Sequence, residues 1–241
     1  MRATALAMFA ALIALASPVL RAADGALAPY VAEYDVRYGK LAAGSSRTEM
    51  ARGPRPGRWI LETRTNARGF ARLLASGTLV QRSAFDIDAT EMRPSSYRFD
   101  DGTTDTDRDV TLEFDWRAGR VRDVAEDEPV DVATEPGLQD AASIQALVTA
   151  RLQAGQEPGL IAMIEKDKIK RYRYTLLRNE RLKTAIGELD TVVYRSARDG
   201  STRETISWYA PSLGNALVRA EQLRDGDRTF HMYIRRYQPG G

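Results

Sequence analysis

Few residues in this chain have the types and spacing to do chemistry, and the acidic run Asp100, Asp101, Asp105, Asp107 and Asp109 is the first to weigh. Carboxylates at alternate positions in a glycine-containing loop are how the oxygen-seeking ion Ca²⁺ is caged. On that reading Asp101, Asp105 and Asp107 are the candidate ligands. The spacing departs from the EF-hand pattern, which sets its glycine after three alternating ligands and a glutamate farther on. The competing reading, the solvated rim of a hairpin, therefore prevails, and no metal is expected.

His231 is the one histidine of the sequence and stands between Phe230 and Met232. A lone histidine can act as a general base. With no serine nucleophile elbow and no second histidine, neither a triad nor a zinc site is indicated. Lys166 to Tyr174 (KDKIKRYRY) interleaves bases with aromatics, the mix with which single-strand nucleic-acid binders stack bases over a positive groove. At period two, however, Lys170, Tyr172 and Tyr174 share one face while Arg171 and Arg173 take the other, so the arginines read as the wet side of a strand and no nucleic acid is expected. Carboxylate pairs for glycoside hydrolysis are a matter of tertiary distance, and among 33 Asp and Glu residues none is singled out. The absence of cysteine removes thiol catalysis, thiolate metal sites and disulfides together. No catalytic residue and no cofactor is expected, and the chain reads as non-catalytic.

The elements that position these residues follow a period of two. Tyr30, Ala32, Tyr34, Val36 and Tyr38 alternate with Glu33, Asp35 and Arg37. Val110, Leu112, Phe114 and Trp116 alternate with Asp109, Thr111, Glu113 and Asp115. The same pattern returns at Tyr172–Leu176, at Ile206, Trp208 and Ala210, and at Phe230, Met232 and Ile234. One wet and one buried face indicates antiparallel sheet. Turn signals at Asp101-Gly102, Ala118-Gly119, Asp199-Gly200 and Asp225-Gly226 suit a meander. Gly53 to Gly57 reads as a hairpin loop and Glu126 to Gly137 as a polar connection. One long helix is indicated, starting near Asp140, with Ile144, Leu147, Val148 and Leu152 on one stripe and Gly155 as its stop. A shorter helical turn is indicated at Phe70 to Leu74.

About ten to twelve twisted antiparallel strands cannot stay flat and must curl or split into layers to cover their apolar face. The expected fold is thus mainly β: a large curled antiparallel sheet, barrel-like or half-barrel, plugged by one main amphipathic helix. Its interior is either filled by side chains or left as an apolar cavity.

Residues 1–22 read as a cleavable signal peptide: Arg2 supplies the positive charge, and Ala3 to Ala16 form an apolar run ended by Ser17, Pro18 and Arg21. That run is shorter than the roughly 20 apolar residues of a membrane span, so no stable span is expected after cleavage. Cleavage after Ala16 competes with cleavage after Ala22 or Ala23, the later site being favoured, and without cysteine no lipobox exists. Residues 23–241 then form a single β-rich domain located in the periplasm. Loss of Arg2 and Arg21 leaves 33 basic residues, which equal the 33 acidic ones, so charge points to neither nucleic acid nor anionic membrane.

The order of features resembles the bacterial exported proteins grouped as domain of unknown function 3108, over about residues 28–238. The matching pieces are Tyr30 to Tyr38, Gly44, Trp59 ahead of a Thr-rich strand, Gly69-Phe70-Ala71, Pro94 and Tyr97, and Phe114-Asp115-Trp116. They continue with Asp140 and Ser143, Tyr172 to Thr175, Ile186 to Leu189, and Trp208 to Pro211. Where that family runs on toward a Leu-Pro-Val strand, this chain has Ala216-Leu217-Val218. The resemblance implies export and a mainly β fold, and it transfers no catalytic residue. Export, a curled sheet and aromatic inward faces together lead to the expectation of a protein that binds a lipid or other apolar or amphipathic envelope component. An envelope scaffold with a filled core and a cell-wall or glycan hydrolase are the alternatives.

Overall fold

The computed structural model describes residues 27–69, 77–88 and 91–240. The expected signal peptide and the expected helical turn at Phe70 to Leu74 lie outside them. Eight strands come first: β1 Tyr30–Tyr38, β2 Leu41–Arg52, β3 Arg58–Ala67, β4 Thr78–Ile87, β5 Met92–Asp100, β6 Val110–Asp115, β7 Arg120–Ala125 and β8 Glu128–Ala133. The helix α1 Ser143–Gln153 follows, and then β9 Leu160–Glu165, β10 Lys168–Thr184, β11 Gly187–Ala197, β12 Arg203–Ala210, β13 Ala216–Arg224 and β14 Asp227–Pro239.

All fourteen strands belong to one sheet, ordered β8-β7-β6-β5-β4-β3-β2-β1-β14-β13-β12-β11-β10-β9. Every strand pair is antiparallel, including that of β1 with β14. The order is a ring of sequence neighbours cut once, between β8 and β9, where the helical segment intervenes. The mainly β, curled antiparallel sheet with one helix is therefore as expected, and the sheet is not closed. Alternation builds it: the VTLEFD of β6 buries Val110, Leu112 and Phe114 and leaves Glu113 and Asp115 exposed. A two-residue turn at Asp225 and Gly226 joins β13 to β14, both with positive φ, 53° and 84°, as the twist of a tight hairpin demands. Gly44 sits at a register shift opposite Val36, and a Cβ there would lie 2.1 Å from the Asn66 carbonyl oxygen.

Two expectations are corrected. The strand count exceeds ten to twelve, in part because Glu126 to Gly137 is not wholly a connection but contains β8. As an edge strand, β8 keeps one ladder unpaired, tolerates Pro129 and buries only Val130. Such a strand has too little alternation to be read. The helix begins at Ser143, three residues later than Asp140, whose carboxylate instead accepts the amide N–H groups of Ala142 (2.8 Å) and Ser143 (2.7 Å). No residue of Ser143–Gln153 is fully exposed, because the helix lies between two apolar clusters.

The larger cluster holds Trp59, Phe85, Leu61, Met50 and Leu112 together with Ala142 and Ala146. The smaller gathers Ile144, Val148, Ile161, Met163, Tyr194, Tyr209 and Leu217. The segment leading into α1 ties the free edge of β9 to the other half. Gln139 forms a parallel bridge with Met163, its amide donating to the Ala162 carbonyl at 2.9 Å, while its side chain donates to the Met92 carbonyl of β5 at 3.1 Å. The far end of α1 is held by Gln153, which donates to the Gly214 carbonyl at 2.6 Å.

Candidate functional site

Between α1 and the inner face of β9 to β13 lies a cavity of about 610 Å³, open at the sheet end that carries the turns at 166–167, 198–202 and 225–226. Its size falls within the roughly 300–1,000 Å³ typical of small-molecule sites. Alternation determines which side chains line it. In β10, Lys170, Tyr172 and Tyr174 form the wall, while Arg171 and Arg173 are exposed outside, the division of faces read from the sequence. In β12 the wall is Thr205, Ser207 and Tyr209. The apolar stripe Ile206, Trp208 and Ala210 faces away from it.

Trp208 is nevertheless buried. The Arg219 guanidinium lies 4.4 Å and the Arg178 guanidinium 5.9 Å from its ring centroid, and its indole N–H donates to Glu180 at 2.5 Å. Sequence reasoning thus found one buried face of β12 and missed the cavity face. That face carries hydroxyls and looks wet.

The floor is apolar and aromatic, with Ile144 of α1, Met163, Leu217 and Ala220 beside Tyr174 and Tyr209. The mouth is charged: Lys170, Arg198, Arg203 and Arg224 against Glu165 and Glu204. Glu165 accepts hydrogen bonds from the Lys170 ammonium and the Tyr172 hydroxyl. Burial pushes the Glu165 carboxyl upward, but these two donors and the nearby Arg198 charge outweigh it and hold the group below its ordinary value. Burial, followed by the Glu165 hydrogen bond, raises the Tyr172 hydroxyl well above the usual tyrosine range. Glu204 pairs with Arg195 at 2.7 Å.

The other sequence candidates lie elsewhere. Asp101 is buried and turns its carboxylate on its own loop, accepting the Thr103 amide at 2.9 Å and the Thr103 hydroxyl at 2.6 Å. Those two hydrogen bonds lower its carboxyl, with help from Arg108. Asp105 and Asp107 are exposed, and among the described residues no group of three or more His, Cys, Asp or Glu is placed to hold a metal ion. His231 is buried in β14, edge-on to Tyr233 at 5.1 Å between ring centroids. Burial and then the Arg228 charge lower its pKa. It pairs across the sheet with Glu221 and Arg37 and does not line the cavity. Arg171 forms a two-pronged ion pair with Glu135 at 2.9 and 2.8 Å.

One cluster carried no chemical signal in the sequence. Asp140 is fully buried, and in addition to its two amide donors it accepts the Ser83 hydroxyl of β4 at 2.6 Å. Desolvation raises its carboxyl to about 6, against the pull of its hydrogen-bond donors. With no access to solvent this is an anchor for the helix rather than a reacting group.

Comparison with known proteins agrees with the β architecture. The family model described as "Protein of unknown function (DUF3108)" matches residues 33–233. No curated protein matches the chain. Among solved structures, the chain is similar to a beta-barrel-like protein of domain of unknown function DUF1849 from Brucella abortus. That likeness has a TM-score of 0.54 at 11% identity and covers 89% of this chain and 98% of that one. A candidate lipoprotein from Parabacteroides distasonis aligns with a TM-score of 0.37 at 9% identity, covering 90% of this chain and 98% of its own. A candidate exported protein with a YmcC-like fold from Bacteroides fragilis gives 0.36 at 10% identity, over 88% and 96% of the two chains.

Proposed function

The chain belongs to the DUF3108 family of proteins of unknown function, and from that premise we propose that it is a non-catalytic periplasmic protein that binds an amphipathic component of the cell envelope. The observation that carries this reading is the cavity beside α1, with an apolar, aromatic floor beneath a charged mouth. Concave sites that join an apolar region to convergent polar groups are where small ligands bind, and here polar side chains predominate above the apolar floor. The charged mouth favours an amphipathic occupant over a wholly apolar one. The signal-peptide reading of residues 1–22 supports a periplasmic location. Among the described residues no helix is long and apolar enough to cross a membrane.

Two features support a binding role over hydrolysis. The carboxylates at the mouth, Glu165 and Glu204, are both engaged by cations, whereas a glycosidase needs one acid free to donate a proton. A scaffold with a filled core has no use for an open volume of this size. Native mass spectrometry of the protein purified from its own host is the test. A mass increment that disappears on organic extraction is expected. A clean apo mass, together with no uptake from phospholipid vesicles by the purified protein, overturns the reading.

A further inference from the structure

We infer that the cavity selects an amphiphile with an anionic head group, a carboxylate or phosphate, bound at the mouth by Arg198 and Arg203 with its chain directed toward Ile144 and Leu217. The inference rests on the cavity reading above and adds the sign of the head group and its orientation.

Ion pairing at the mouth carries the argument. Of its four cations, Lys170 is engaged by Glu165 and Arg224 lies 3.8 Å from Asp225. Arg198 and Arg203 have no ion-pair partner among the described residues. The two carboxylates are already engaged, Glu165 by Lys170 and Tyr172 and Glu204 by Arg195. An incoming anion therefore meets two guanidinium groups without an ion pair, whereas both carboxylates that line the cavity, Glu165 and Glu204, are paired. Asp167 and Asp199, in the turns at this end, do not line it. Guanidinium forks match the planar, two-oxygen geometry of carboxylates and phosphates. The turn between β11 and β12, residues 198–202, places Arg198 at its start and Arg203 just beyond its end, so one hairpin presents both. Below this rim the wall passes through the hydroxyls of Tyr172, Thr205 and Ser207 to the apolar floor. The polar-to-apolar gradient fixes which end of an amphiphile enters first.

Isothermal titration calorimetry below the micelle threshold, at two salt concentrations, compares four probes: tetradecanoate, tetradecyl phosphate, tetradecyl maltoside and inorganic phosphate. The two anionic amphiphiles should bind at least 10-fold more tightly than the maltoside at low salt, with an advantage that shrinks at high salt because exposed charges are screened. Inorganic phosphate should bind at least 100-fold more weakly than tetradecyl phosphate. In Arg198→Gln/Arg203→Gln the ratio of anionic to neutral affinity should fall toward one, and Arg198→Lys/Arg203→Lys should recover part of it. Equal binding of tetradecanoate and the maltoside overturns the head-group inference and leaves the cavity reading standing. Failure of all three amphiphiles overturns both. Phosphate binding as tight as that of tetradecyl phosphate assigns the mouth to a free anion and overturns the amphiphile. Should the double glutamine variant fail to fold, the wild-type probe ratio and its salt dependence still decide.

Discussion

The two halves of the sheet use the same inward alternation to opposite ends. In β1 to β8 the inward positions carry large apolar groups, Trp59, Phe85, Leu61, Met50 and Leu112, each nearly inaccessible. The inward hydroxyls there satisfy one another: Thr48 lies 2.9 Å from Thr63, and Thr65 donates to Ser46 at 3.0 Å. In β9 to β14 the corresponding positions include the small Ser196, Thr205, Ser207 and Ala220 beside Tyr172, Tyr174 and Tyr209, and they line open space. Side-chain size on one face, rather than strand count, thus shapes the cavity of the second half.

The same truncation in each half gives the largest expected contrast. Leu61→Ala, in the filled half, should destabilise the protein by about 3–5 kcal/mol, whereas Leu217→Ala, beside existing space, should cost about 2 kcal/mol. Urea unfolding of both variants measures this, and equal losses would mean that the second half is as tightly packed as the first.

Next comes the anchor that joins the halves. The Asp140 carboxyl is raised from 3.8 to about 6 in the folded protein, so the folded state holds that proton more tightly than the unfolded one does. Its contribution to stability is therefore fully present below about pH 4 and is lost as pH rises through about 6, a change on the order of 3 kcal/mol. Asp140→Asn should gain stability relative to wild type by that amount between pH 4 and pH 7, read from denaturant midpoints across the range. A constant difference at all pH values would break the assignment.

Overpacking comes third. Ala32→Leu, at a position with no exposed surface in the filled cluster, should cost about 1–3 kcal/mol. Ala220→Leu has room to grow into the cavity and should change stability by less than about 1 kcal/mol while abolishing uptake of an amphiphile. Melting curves paired with ligand titration separate the two.

The smallest effect concerns the seam between β8 and β9, where the exposed Lys166 ammonium reaches Glu126. Lys166→Ala should cost less than about 1 kcal/mol, and the loss should vanish at high salt. A larger loss, seen by hydrogen exchange as joint opening of β8 and β9, would show that the seam rather than Asp140 holds the halves together.

Much of this was legible beforehand. The alternation in β1, β6 and β10 identified the strands and, at Lys170, Tyr172 and Tyr174, the face that lines the cavity. Edge strand β8 escaped because a strand with a single buried residue carries no period. The cavity face of β12 escaped because Thr205, Ser207 and Tyr209 look like a solvent face, while both faces of that strand are covered. Asp140 escaped because its partner Ser83 lies 57 residues away in sequence, and no local pattern connects them.

What the amino-acid sequence determined alone is local: a period of two, turn residues that accept positive φ, one helix, and a composition without cysteine or paired histidines that narrows the chemistry. Where the curled sheet would be solid and where hollow depended on which inward side chains meet across it. Which charges stay unpaired at the mouth depended on which turns share one rim. Both are sums over residues far apart in the chain, so only the tertiary structure could decide them.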